Sequence, residues 1–149
     1  MGTHASCTRA GRRRLTRRSH EFSFLCEAGA VSTETRTETD CLFCKIVSGE
    51  IPGDVVHRTE HTVAFRDINP QAPLHVLVVP REHQPNAGAL AEADPVATAE
   101  LVTAAKAVAA AEGYDDYRLV FNTGADAGQT VFHAHLHLLA GRGFTWPPG

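Results

Sequence analysis

The chain has 149 residues, 43% of them hydrophobic, and its 14 basic and 17 acidic side chains leave a net charge of -3. That length suits one domain with a modest core, and no run approaches the ~20 consecutive apolar residues needed to cross a bilayer. Charge is unevenly spread, because residues 1–40 hold seven Arg against five acids and residues 41–149 hold seven Lys or Arg against twelve acids. The acidic C-terminal part argues against a nucleic-acid partner.

In chain order, Arg9, Arg12, Arg13, Arg14, Arg17 and Arg18 crowd a stretch with neither acids nor hydrophobic periodicity. Disorder is therefore the expected state of residues 1–40. The other readings are an organelle transit peptide, a basic nucleic-acid-binding arm, or translation from a misassigned upstream start, with Val31 as initiator if its codon is GTG. The apolar run from Phe22 to Cys26 is too short for a secretory signal, and the domain itself is expected in the cytoplasm. Next, Cys41-x-x-Cys44 offers half of a tetrahedral metal site. A thioredoxin-like pair, without βαβ context, and unmetallated thiols are the competing readings. Cys7 and Cys26 are expected as free thiols outside the domain.

A short helix is expected over 42–48. Segments 55–57, 62–66, 75–79, 118–122 and 131–139 read as five strands separated by turn residues. Between the third and fourth lies an Ala-rich helix: Asp94 can cap it, Pro95 suits its first turn and Gly113 ends it. Leu101, Ala105, Val108 and Glu112 recur on one of its faces. The expectation is an α+β domain over 41–149, with a mainly antiparallel five-stranded sheet and two helices. His57 and His61 read as surface residues.

The densest chemistry lies in His133-Ala134-His135-Leu136-His137-Leu138-Leu139. Strand side chains alternate faces, so the segment pairs an apolar face with one carrying three imidazoles. Imidazole is substantially neutral at physiological pH, and so can attack phosphorus or bind a metal without first losing a proton. Ligands two residues apart on a strand, about 6.6 Å at Cα, can also converge on one ion. Just upstream, the small-residue loop Asn122 to Thr130 is either an ordinary turn or a cradle whose amides approach an anion.

His133 to Leu139, preceded by Ala127-Gly128-Gln129-Thr130-Val131-Phe132, resembles the signature of the histidine triad (HIT) superfamily. Four further segments agree in order: Cys41 to Pro52, Phe65 to Pro73, His75 to Pro80, and Trp146-Pro147-Pro148-Gly149. The last is similar to the histidine triad nucleotide-binding branch rather than to the fragile-histidine-triad dinucleotide hydrolases. The resemblance implies a homodimer whose sheets join, with the Trp146 segment near the partner's site, and a purine nucleoside phosphoramidase-like hydrolase. It casts His135 as the nucleophile forming a nucleotidyl-histidine, His137 as the phosphate partner, and His75 as a polarising neighbour. Asp67 would read the ribose, Ile68 the base and Asn122 the phosphate or ribose. Gly128, Gln129 and Thr130 would hold the phosphate, and Trp146 substrate or partner. It implies no catalytic cofactor but a structural zinc on Cys41, Cys44, His83 and His133. A dinucleoside polyphosphate hydrolase, a non-catalytic nucleotide-binding scaffold and a zinc metallohydrolase stand as alternatives.

Overall fold

A computed structural model of the protein describes residues 40–148, so the expectations for the Arg-rich stretch, Cys7 and Cys26 fall outside the described residues. Five antiparallel strands form one sheet: β1 (Val55–Arg58), β2 (Thr62–Arg66), β3 (Leu74–Pro80), β4 (Tyr117–Phe121) and β5 (Leu136–Ala140). Their spatial order is β1-β2-β3-β5-β4, which leaves β1 and β4 as edges. The three helices are α1 (Leu42–Ser48), α2 (Ala87–Ala93) and α3 (Pro95–Ala111). Among the described residues, no helix is long and apolar enough to cross a membrane.

α3 matches its sequence signals. The Asp94 carboxylate accepts from Ala97 N–H, Pro95 occupies the first turn, and Gly113 follows the end at φ +80°. Leu101, Ala105 and Val108 are buried against the sheet, whereas Glu112 turns outward and ion-pairs with Arg66 at 2.7 Å. α2 was not anticipated, so the described residues hold three α-helices rather than two. Its N-cap, Asn86, accepts from Ala89 N–H, but seven residues of Ala, Gly, Leu and Glu carry too little periodicity to announce a helix. The histidine strand is shorter than expected: β5 begins at Leu136, and residues 131–135 are bends or irregular.

Strand alternation divides the interior into two layers. Ala64, Leu74, Val76, Val78, Leu136 and Leu138 pack with α3 on one sheet face. Val63, Phe65, Leu77 and Val79 pack with Phe43 and Cys44 of α1 on the other. His75 and His137 alternate with the first set, which puts them on the α1 face. That face is covered rather than solvent-facing, with His133 0% and His135 6% exposed. His57 and His61 are half-buried, and His61 Nε2 lies 3.9 Å from Glu100.

Candidate active site and metal centre

The tautomer of each buried imidazole follows from its backbone partner. His135 Nδ1 lies 2.7 Å from the carbonyl of His133. A carbonyl only accepts, so Nδ1 carries the proton and Nε2 keeps a lone pair. The Phe43 ring meets His135 edge-on at 5.2 Å and restricts its rotation. His75 is fixed from the opposite side: Gln71 N–H donates to its Nδ1 at 3.1 Å, so the His75 proton sits on Nε2. That nitrogen donates to His137 Nδ1 at 2.9 Å. His137 must then carry its own proton on Nε2, which is buried and has no hydrogen-bond partner among the described residues. The relay from Gln71 through His75 to His137 therefore ends in an N–H for which no described residue supplies an acceptor.

His135 and His137 line a cavity of about 720 Å³ together with Phe43, Ile46, Phe65, Asp67, Ile68, Leu77 and Thr130. Its wall is largely apolar, and Ile68 is fully exposed at the rim. Asp67 anchors a turn, with Oδ1 accepting from Asn69 N–H at 2.8 Å and Oδ2 3.5 Å from His75 Nε2. His75 stands behind His137 instead of lining this cavity; with Asn122 it borders a separate cleft. Gln129 is buried and serves the loop: its side chain accepts from Gly124 N–H and donates to the carbonyls of Pro85 and Val131. The Gly128 and Gln129 amides also donate inside the loop, to Ala125 and Gly124. Trp146 is 85% exposed and lines neither space.

Burial holds His137 down at about 4, with the neighbouring His135 and His75 adding to the effect and Asp67 opposing it. His75 is lowered mainly by burial, against the pull of Asp67. An unfolded His protonates near 6.5. Between about 6.5 and 4 the unfolded chain therefore binds a proton that folded His137 refuses, and stability, full above this window, falls as pH drops through it. Unfolding free energies from urea titrations are expected to decline as pH falls from about 6.5 to 4.5, by up to ~1.4 kcal/mol per pH unit from His137, and less steeply in His137→Gln. Equal slopes in the two proteins would contradict this.

The second cluster lies on the same face. Cys41 is the N-cap of α1 and makes no side-chain cap bond, and Cys44 lies one turn on, so both thiols rise from the helix start. His133 Nε2 donates to the carbonyl of Pro80 at 3.0 Å, which leaves Nδ1 as the free lone pair. That nitrogen is 3.5 Å from each sulfur, and His83 Nδ1 is 3.4 Å from Cys44 Sγ. Ala134 N–H to Gln84 O ties the two histidine segments together. The four donor atoms lie within 4.8 Å of one another. Zn–S near 2.3 Å and Zn–N near 2.0 Å in a tetrahedron separate sulfur from nitrogen by about 3.5 Å, so this donor set fits zinc.

Sequence reading overlooked Phe43 as the brace of His135 and Gln71 as the start of the histidine relay. A Phe between the two cysteines was the available signal for the first. The second left none, since a backbone amide has no residue signature.

A profile for the HIT domain matches residues 48–144. The chain belongs to the HIT domain family. It is 49% identical over 111 residues to an uncharacterized HIT-like protein of Synechocystis, covering 74% of this chain and 97% of that one. It is 45% identical over 116 residues to a 14 kDa zinc-binding protein of Zea mays, covering 75% and 90%. The crystal structure of a HIT family hydrolase from Legionella pneumophila Philadelphia 1 superposes with a TM-score of 0.70 at 49% identity, covering 74% of this chain and all of that one.

Proposed function

We propose that the protein hydrolyses nucleoside 5'-monophosphate derivatives, purine phosphoramidates foremost, through a nucleotidyl-histidine on His135. The observation that carries this is the pair of complementary tautomers: a lone pair on His135 Nε2 beside an unpartnered N–H on His137 Nε2. A nucleophile next to a donor without an acceptor suits a phosphoryl group, which offers an electrophilic phosphorus and oxygens that accept. The apolar cavity takes the nucleoside, with Ile68 and Phe43 against the base and Asp67 toward the ribose.

In the reaction, Nε2 attacks the α-phosphorus and the P–N bond breaks. The leaving nitrogen takes a proton from the Thr130 hydroxyl, which water restores. Nδ1–H keeps its bond to the His133 carbonyl while positive charge develops on the ring. His137 Nε2–H stabilises the phosphoryl oxygens, and His75 positions His137. Water then cleaves the P–Nε2 bond, releasing the nucleotide and regenerating neutral His135. Cys41, Cys44, His83 and His133 would hold a zinc ion that would supply structural cross-linking, in keeping with the donor geometry and with the zinc-binding relative from maize. The family resemblance supports a cytoplasmic homodimer with sheets joined at their edges.

The test is turnover of adenosine 5'-phosphoramidate compared with diadenosine polyphosphates, each with and without chelator. Faster phosphoramidate turnover, resistant to brief chelation, is expected. Preference for the dinucleotide, or immediate chelator sensitivity, would overturn the reading.

A further inference from the structure

Gln129 is 3% exposed, and its side chain reaches three backbone partners. They fix which end of the amide is which: the Gly124 N–H points at Oε1 at 3.0 Å, whereas the carbonyls of Pro85 and Val131 face Nε2 at 2.7 and 3.0 Å. Both N–H groups of the amide are thereby committed to the protein. These contacts bracket Thr130. On one side of it the Gln129 backbone N–H donates to Gly124 O at 3.1 Å, and on the other the Val131 carbonyl is held by the Gln129 side chain. The nucleophile hangs from the same anchor. Ala134 N–H, one residue before His135, donates to Gln84 O at 2.6 Å, and Gln129 Nε2, one residue before Thr130, donates to Pro85 O. The segments carrying His135 and Thr130, which line one cavity, are therefore tied to two consecutive carbonyls.

We infer that Gln129 is a positioning residue: it holds the Thr130 hydroxyl in register with His135, so that the leaving nitrogen receives its proton as the P–N bond breaks. The inference rests on the phosphoramidase reading above, which makes Thr130 the proton donor. Unseating the amide is unfavourable, since two carbonyls would lose their donor in a buried place. The need for register is chemical. An alkylamine is too basic to depart as an anion, so P–N cleavage waits on a proton donor within hydrogen-bond reach, and a displacement of about 1 Å between reacting groups can cost on the order of 10²-fold in rate. A para-nitrophenolate, by contrast, leaves without a proton. Contact with the phosphate, the role that the resemblance gives Gln129, would affect both kinds of leaving group alike.

Two substrates separate these roles, N-butyl adenosine 5'-phosphoramidate and the para-nitrophenyl ester of AMP. The ratio of their kcat/KM values is measured in the wild type, Gln129→Met, Gln129→Glu, Thr130→Ala and the double variant of Gln129→Met with Thr130→Ala, and AMP affinity is measured alongside. Both Gln129 variants are expected to lower the ratio by about thirtyfold and to bind AMP within about threefold of the wild type. Thr130→Ala should lower it as far and the double variant no further, because both changes remove one proton transfer. The ratio is taken within one preparation, so partial unfolding cancels. Gln129→Glu, which keeps the length and an oxygen for the Gly124 N–H, decides the matter if Gln129→Met does not fold. Equal losses on both substrates would make Gln129 purely structural, and weaker AMP binding at an unchanged ratio would make it a phosphate contact. Either result overturns the inference, as do losses that add in the double variant. A Thr130→Ala ratio equal to that of the wild type would remove the proton donor, and the inference with it, while leaving the phosphoramidase reading intact. If the wild type turns over the ester alone, or neither compound, that reading fails and the inference falls with it.

Discussion

His135→Ala is expected to lower kcat by more than ~10³-fold, about 4 kcal/mol of transition-state stabilisation, because it deletes the lone pair that forms the covalent intermediate. The side chain is nearly buried and packs on Phe43, so alanine also opens a small cavity and is expected to cost about 1–3 kcal/mol in stability. His135→Asn separates the two effects. Its side-chain amide can donate to the His133 carbonyl in place of Nδ1–H, so it preserves packing and the local bond while supplying no nucleophile. Both variants should bind AMP and fail to turn over. Rapid acid and base quenching of the wild type with an AMP-linked substrate should trap an acid-labile, base-stable adduct on His135, the behaviour of a P–N linkage. Retention of a tenth or more of wild-type turnover by His135→Asn, or a quenched protein without bound nucleotide, would remove His135 from the role.

Removing the metal donors should strike stability more than chemistry. Freshly prepared protein is expected to contain about one zinc per chain, and Cys41→Ser with Cys44→Ser should abolish it. A loss of ~2 kcal/mol or more is expected, about 8 °C in Tm for a domain of this size. The donors join the start of α1, the segment after β3 and the segment before β5, so the metal would close long loops of chain. Its link to catalysis is mechanical: His133, whose Nδ1 faces the sulfurs, also presents the carbonyl that orients His135. A decline in kcat of less than about tenfold, measured well below Tm, fits that coupling. Protein free of metal on isolation, or kcat falling with zinc content at unchanged Tm, would contradict a structural role.

The sequence alone was enough to establish what depends on local spacing. Period-two alternation from His133 to Leu138 assigned the imidazoles to one face and the apolar side chains to the other. Asp94-Pro95 marked the start of α3, and Cys41-x-x-Cys44 paired two thiols on one helix turn. Tertiary structure decided whatever depends on groups far apart in the chain. The covering of the histidine face by α1 arises from packing of Phe43, 90 residues before the triad begins, so alternation alone could not show that the face is buried. Protonation sites depend on a backbone amide at Gln71 and carbonyls at Pro80 and His133, and every residue carries a carbonyl and every non-proline residue an amide N–H. Arg118 and Arg142 both stack on the Phe144 ring only because β4 and the segment after β5 meet there. Periodicity along a strand or helix is written in side-chain identity, but the partner of a buried polar atom is selected by which distant backbone reaches it.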